Sequence, residues 1–139
     1  MKLVIDASVA LKWVLDEPDR SAADALLDDD LIAPALWLIE AGNALWTRAR
    51  RGELSGLEAV AMLDELRSAP VGISPIEIDM TAALDLAIQL NHPVYDCLYL
   101  ALAMREGVQV VTADRKFYAV AQRDPIAASA VRLLAAPAP

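Results

Sequence analysis

Four acidic residues lie where the surrounding sequence is apolar, and they are the side chains best suited to chemistry. Asp6 and Asp114 each follow a short apolar, β-branched segment, whereas Glu40 and Asp96 interrupt longer apolar runs. A lone carboxylate in such surroundings is costly unless it is protonated, paired with a base or bound to a cation. Taken singly, Asp6 and Asp114 fit helix N-caps, and Asp96 fits a first helical turn. Together they predict one shared cation site, where mutual repulsion raises at least one pKa.

Short polar side chains accompany three of these acids. Ser8 follows the first acid by two residues, and Thr112 precedes the last by two. Asn43 follows Glu40 by three residues, which is about one helical turn, so both side chains are expected on one side of a helix. Such neighbours orient a carboxylate or hold a metal-bound water. Oxygen ligands of this kind favour Mg²⁺ or Mn²⁺, since a zinc site would use His or Cys.

A hard cation held by carboxylates indicates hydrolysis of a phosphodiester. Other nuclease or hydrolase chemistries have little support, because His92 is the only histidine and no glycine-rich phosphate loop is present. Cys97 lies among apolar residues and is expected in the core. Two alternatives stay open: a phosphotransfer domain with Asp6 as phosphate acceptor and Lys116 as its lysine, and a non-catalytic binding module.

The composition describes one soluble domain. The chain has 139 residues, 57% of them hydrophobic, and a net charge of −8. Taken alone, that charge argues against a nucleic-acid partner, unless a bound cation bridges acidic protein and phosphate. We find no apolar run near the roughly 20 residues that span a bilayer, no signal-peptide pattern, and a single cysteine. These features predict a cytoplasmic protein.

Short apolar segments alternate with helical patterns along the chain. Strands are expected at residues 2–5, 31–33, 70–78 (interrupted by Pro75), 108–111 and 131–134. Helices are expected from Ser8 to 15, and at 21–27, 34–51, 55–67, 81–90, 94–106 and 115–122. This alternation predicts a parallel sheet flanked by helices, with ligands bound beyond the carboxyl ends of the strands.

Four stretches carry a resemblance to a known family. They are LVIDAS at residues 3–8, APALWLIEAGNAL at 33–45, PVYDCLYLALA at 93–103 and VVTAD at 110–114. In this order and at this spacing they resemble the PIN-domain ribonucleases, especially the VapC-type toxins of bacterial toxin–antitoxin modules. The resemblance implies a Rossmann-like, three-layer α/β fold with a mostly parallel central sheet of about five short strands.

The resemblance also implies an activity and a site. It implies an Mg²⁺- or Mn²⁺-dependent endoribonuclease that a small VapB-like antitoxin inhibits. In this resemblance the acidic pocket is formed by four acids that are both catalytic residues and metal ligands: Asp6, Glu40, Asp96 and Asp114. Three further residues support them: Ser8, Asn43 and Thr112. Many relatives carry a further acid two residues after the last aspartate. Lys116 stands at that position here, so the sequence leaves the number of bound metals open.

Basic and apolar surfaces suggest the partners. Arg48 and Arg51 lie at the end of one predicted helix and Arg115 and Lys116 flank the last acid, so these four are candidate RNA contacts. The alternative is that they are solvated charges near helix ends. The apolar excess fits a homodimer face and an antitoxin groove, as the resemblance implies. We expect one domain over residues 1–134 and a disordered Ala/Pro tail at 135–139.

Overall fold

The computed structural model describes residues 1–135 as a parallel sheet flanked by helices. The five strands stand in the order β3-β2-β1-β4-β5, and every neighbouring pair is parallel. Their bounds are β1 Lys2–Ile5, β2 Asp30–Pro34, β3 Val71–Ser74, β4 Gln109–Thr112 and β5 Val131–Leu133. The predicted α/β class and strand number are confirmed.

Eight α-helices connect the strands within residues 1–135. Two lie between β1 and β2, two between β2 and β3, two between β3 and β4, and two between β4 and β5. In chain order they are α1 Ala7–Ala10, α2 Arg20–Ala25, α3 Trp37–Arg50, α4 Gly56–Arg67, α5 Met80–Leu90, α6 Val94–Glu106, α7 Arg115–Ala121 and α8 Pro125–Ala130. Three short 3-10 segments, Leu11–Trp13, Leu26–Asp28 and Ile76–Asp79, complete the connections.

The core is built around β1 and α6. Val4 of β1 pairs with Ile32 of β2 on one side and with Val110 of β4 on the other, so β1 is the central strand. Helix α6 is buried from Cys97 to Ala103, which explains why its sequence is apolar on every side rather than on one stripe. The order of strands reverses at β1. The crevice between the carboxyl ends of β1 and β4 is therefore the position where ligands bind in folds of this kind.

Several local predictions were wrong. Ser8 does not cap the first helix, because Asp6 holds the N-cap position and the Ser8 hydroxyl donates to it instead. Helix α1 ends at Ala10 rather than near residue 15. Pro34 is the last residue of β2 and not the start of α3, since a proline costs little at a strand end where no ladder N–H is needed. Helix α8, absent from our prediction, is capped by Asp124 and begins with Pro125.

Two findings concern the ends of the chain and the membrane. Of the predicted tail, Ala135 lies outside any helix or strand, and residues 136–139 lie outside the described part of the chain. Among the residues that the structure describes, no helix combines the length and apolar character needed to cross a bilayer.

Candidate active site

The site forms where β1 and β4 end side by side. The backbone N–H of Asp6 donates to the carbonyl of Val111 at 3.1 Å, which extends the β1–β4 pairing by one residue. This pairing brings Thr112, the last residue of β4, and the β1–α1 turn together. Residues about 106 positions apart in sequence thus contact each other because parallel strands present their carboxyl ends at one edge.

Asp6 is held by a network of hydroxyl groups. Its Oδ2 accepts hydrogen bonds from Ser8 Oγ at 2.8 Å and from Thr112 Oγ1 at 2.6 Å, and the residue is only 5% exposed. Ser8 Oγ in turn accepts from the N–H of Ala113 at 3.0 Å, and Thr112 Oγ1 accepts from the N–H of Asp114 at 3.0 Å. A backbone N–H thus orients each hydroxyl group, and each hydroxyl donates its hydrogen to the Asp6 carboxylate.

Glu40 is paired with a tyrosine rather than with the predicted asparagine. It lies in the first turn of α3, and its Oε1 accepts a hydrogen bond from the hydroxyl of Tyr99 at 2.5 Å. Asn43 is exposed, and within residues 1–135 its side chain makes no hydrogen bond to Glu40. Both residues nevertheless line one surface cleft of about 370 Å³, so Asn43 faces the same solvent space as the carboxylate.

Asp96 also has a partner that the sequence analysis did not assign. Its Oδ2 lies 2.6 Å from Nε2 of His92, four residues earlier, at the start of α6. The imidazole stacks on Phe117 with ring centroids 5.7 Å apart and an angle of 16° between the planes. Tyr99 and His92 were missed. Tyr99 lies three residues after Asp96 on α6, and this spacing could have indicated a residue near the acid. His92 precedes α6 and its N-cap Pro93, so no helical spacing relates it to Asp96.

Asp114 is the acid for which the helix-cap alternative is observed. Its Oδ1 accepts from the backbone N–H groups of Lys116 at 2.9 Å and Phe117 at 3.2 Å, and it is the N-cap of α7. Asp6 occupies the same position before α1 but makes no side-chain cap bond. Capping thus explains one of the two strand-end acids and not the other.

Burial and neighbouring negative charges raise the pKa values of two of the acids. Burial raises the pKa of Asp6 to about 6, against the bonds from Thr112 and Ser8, and the charges of Asp96 and Asp114 add to the rise. Burial likewise raises the pKa of Glu40 to about 7, opposed by the Tyr99 bond and assisted by the charges of Asp6 and Asp96. Asp6 and Glu40 therefore lie in a region of negative potential to which the other acids contribute.

The donor set fits a hard divalent cation in its chemistry. Each carboxylate accepts its bonds through one oxygen only; in the described part of the chain the second oxygen of each makes no hydrogen bond. Among residues 1–135, Asp96 is the only one of the four whose carboxylate contacts a side-chain group that can carry positive charge. As the side chains stand, however, no three Asp, Glu, His or Cys groups among residues 1–135 are gathered closely enough to hold a metal. Oxygen donors of the type that such an ion binds are therefore present, and each carboxylate is bonded to its own neighbours.

The candidate RNA contacts differ in availability. Arg48 is bound to Glu17 at 2.7 Å and lies 3.7 Å from Glu53, so its charge is largely neutralised. Arg51, Arg115 and Lys116 are exposed, and none of the three forms an ion pair with another described residue. The last two lie directly beside Asp114, at the start of α7.

Comparisons with known proteins bear on the family of this chain. The PIN domain family model matches residues 3–123. The chain is 36% identical over 120 residues to Ribonuclease VapC3 of Pyrobaculum aerophilum, covering 84% of this chain and 92% of the relative. It is 31% identical over 113 residues to Ribonuclease VapC12 of Mycobacterium tuberculosis, covering 81% and 86%.

A solved structure shows the same fold over nearly the whole length. The crystal structure of VapBC2 from Rickettsia felis, bound to a DNA fragment from its promoter, superposes with a TM-score of 0.68. The match covers 97% of this chain and 100% of that chain at 16% identity, so it supports the fold alone. The family model and the two relatives show more than the fold, because they match most of the chain in sequence. The chain therefore belongs to the PIN-domain family and, within it, to the VapC proteins.

Proposed function

We propose that this chain is a metal-dependent endoribonuclease toxin that hydrolyses phosphodiester bonds in RNA and is inhibited by an antitoxin. The observation that carries the proposal is the group of four acids at the carboxyl edge of the sheet, in which buried Asp6 and partly buried Glu40 have no basic partner among the described residues. The VapC ribonucleases to which the chain is similar support it.

In this proposal Asp6, Glu40, Asp96 and Asp114 hold Mg²⁺ or Mn²⁺. When bound, such an ion neutralises the phosphate and lowers the pKa of a water ligand. The protein's own part is orientation: the Ser8 and Thr112 hydroxyls fix Asp6, and the α7 N-terminus fixes Asp114. In the overall reaction, water adds to phosphorus, one P–O ester bond breaks, and the leaving oxygen takes up a proton.

We propose that exposed basic residues bind the RNA backbone beside the acids. Arg115 and Lys116 lie next to Asp114, and Arg51 follows the last residue of the Glu40 helix. Phosphate contacts position RNA independently of its base sequence. Each contact steepens the slope of the logarithm of the binding constant against the logarithm of the salt concentration by about one unit. Arg48 contributes less in this view, because Glu17 already holds it. Equal salt dependence of RNA binding in wild type and an Arg115→Ser/Lys116→Ser variant would contradict this assignment.

Two apolar surfaces fit protein partners. A groove of about 260 Å³ between α3 and α4 is lined by Leu45, Trp46, Val60 and Leu63, and we propose that it receives an apolar antitoxin helix.

Met80, Leu84 and Ile88 form an exposed stripe along α5, which we propose as the homodimer face. Light scattering of a Leu84→Glu variant tests the second assignment, since an unchanged mass would contradict it. We further propose that the protein acts in the cytoplasm.

Cleavage of a circular single-stranded RNA tests the proposed activity. A circle has no end from which an exonuclease could start, so only internal hydrolysis produces a linear molecule. We expect linear RNA with Mg²⁺ or Mn²⁺, none with excess EDTA, and renewed cleavage when the metal is restored. A circle that stays intact with either metal, while linear RNA of the same sequence is shortened from one end, would replace the endonuclease with an exonuclease. If neither RNA is cut, the ribonuclease proposal fails.

A further inference from the structure

The hydroxyl of Tyr99 lies at the junction of three acid-bearing segments. Tyr99 is fully buried in α6, one turn after Asp96. Its hydroxyl donates to Glu40 Oε1 at 2.5 Å and lies close to the backbone N–H of Ala7, the residue after Asp6. One buried atom thus contacts the β1–α1 turn and α3 from its position on α6.

The bond from Tyr99 supports an acid that otherwise lacks a partner. Glu40 has no basic partner among the described residues, so a neutral donor is what stabilises it. A phenylalanine at position 99 would fill the same space in the core but would leave Glu40 without this hydrogen bond.

The hydrogen bond from Tyr99 occupies only one oxygen of Glu40. It is accepted by Oε1, and Oε2 has no hydrogen-bond partner among residues 1–135.

We infer that Tyr99 is a positioning residue for the divalent cation: its hydroxyl fixes Glu40 relative to Asp6 so that the free oxygen of Glu40 faces the ion. The inference deepens the proposed function and rests on it, since it assumes that Glu40 is a metal ligand. Tyr99 itself touches neither metal nor substrate. It acts through Glu40, as residues behind metal ligands commonly do.

The test is the affinity for Mn²⁺ alone, measured by titration calorimetry without RNA. Tyr99→Phe removes only the hydroxyl and keeps the buried ring. We expect its dissociation constant for Mn²⁺ to rise about 10- to 100-fold, the usual effect of losing a residue that supports a metal ligand. Tyr118→Phe is the matched control, because the hydroxyl of Tyr118 bonds to none of the four acids in the described structure. We expect its affinity to stay at the wild-type value.

A double-mutant cycle separates positioning from packing. If Tyr99 acts through Glu40, Tyr99→Phe has little further effect on Mn²⁺ affinity in a Glu40→Ala background. In steady-state cleavage, kcat of Tyr99→Phe falls while KM for RNA is unchanged. Circular dichroism of each variant confirms that the fold is retained.

Three outcomes overturn the inference. The first is a Tyr99→Phe affinity for Mn²⁺ equal to that of wild type. The second is an equal loss in both backgrounds, which would indicate a packing effect. The third is a wild type that binds no Mn²⁺, which would remove the metal site as well. If wild type binds Mn²⁺ but cuts no RNA, the proposed ribonuclease fails, and the Mn²⁺ affinities still decide the role of Tyr99.

Discussion

Replacement of Asp6 by Asn is expected to abolish RNA cleavage without unfolding the protein. Asn keeps an oxygen that can accept from Ser8 and Thr112, so the network behind the residue is retained. It lacks the negative charge that a divalent ion requires. Loss of several kcal/mol of charge stabilisation lowers kcat about a thousandfold, since each factor of ten corresponds to about 1.4 kcal/mol. Initial rates of cleavage at saturating Mg²⁺ measure this effect.

Asp85→Asn is the matched control for this substitution. Asp85 is exposed on α5, outside the acidic group, and its replacement changes the net charge by the same amount. We expect wild-type rates from it. A folded Asp6→Asn variant that cleaves as fast as Asp85→Asn would show that Asp6 has no part in the reaction.

The second large effect is on stability, and its sign follows from the raised pKa of Asp6. The folded protein holds the Asp6 proton more tightly than the unfolded chain does, because the pKa rises from 3.8 to about 6 on folding. Ionised Asp6 therefore lowers the free energy of unfolding. This cost is absent below pH 3.8, grows as the pH rises through about 6, and is complete above that value. It amounts to about 3 kcal/mol at most.

Two melting experiments follow from this sign. In EDTA at about pH 7.5, Asp6→Asn is expected to melt above wild type, and the difference is expected to shrink towards about pH 4. A divalent metal offsets the same cost in wild type. At a free metal concentration one hundred times the dissociation constant, binding adds about 2.7 kcal/mol to the free energy of unfolding. This increase raises the melting temperature by roughly 10 °C.

The variant supplies the control for the metal effect. Asp6→Asn has lost a ligand, so its melting temperature is expected to change little with Mg²⁺ or Mn²⁺. A wild type whose melting temperature is insensitive to saturating metal would mean that the acids do not act together on one ion. An Asp6→Asn variant less stable than wild type in EDTA at about pH 7.5 would contradict the assigned cost of burying Asp6.

The order of strands and helices was predictable because local pattern and tertiary role agree. Lys2–Ile5 and Gln109–Thr112 are short and β-branched, and they form the two strands that flank the site. The ends of elements were less predictable. Pro34 resembles a helix start by its type, yet the pairing of β2 with β3 carries the strand through it, with Pro34 opposite Ser74.

The acids of the candidate site and the hydroxyl partners of Asp6 could be predicted from the sequence, but the partners of Glu40 and Asp96 could not. An acid that follows an apolar strand can be found from sequence, because its burial conflicts with its charge. The partner of Glu40 is Tyr99, 59 residues away on another helix, and no local spacing brings the two together. Asn43 has the right spacing from Glu40 but lies on the exposed side of α3.

His92 shows the same limit at short range. It lies four residues before Asp96, yet Pro93 between them marks a turn, and a proline turn gives no indication of where the imidazole points. Its position is set by stacking on Phe117 of α7, and this contact exists only after α6 and α7 are packed on the sheet. Hydrogen bonds to a site are thus decided by tertiary structure even when the residues are neighbours.

We expect side chains from the β1–α1 turn, α3, α6 and the β4–α7 turn to hold one common dication. The anomalous difference map of a crystal soaked in Mn²⁺ tests it most directly, because Mn²⁺ scatters anomalously and protein oxygens do not. We predict a peak beside Asp6, with carboxylate oxygens from at least two of the other segments at about 2.1 Å, the distance at which such ions bind oxygen. No peak at this edge of the sheet, with the four carboxylates still bonded only to Ser8, Thr112, Tyr99, His92 and the α7 backbone, would contradict the claim.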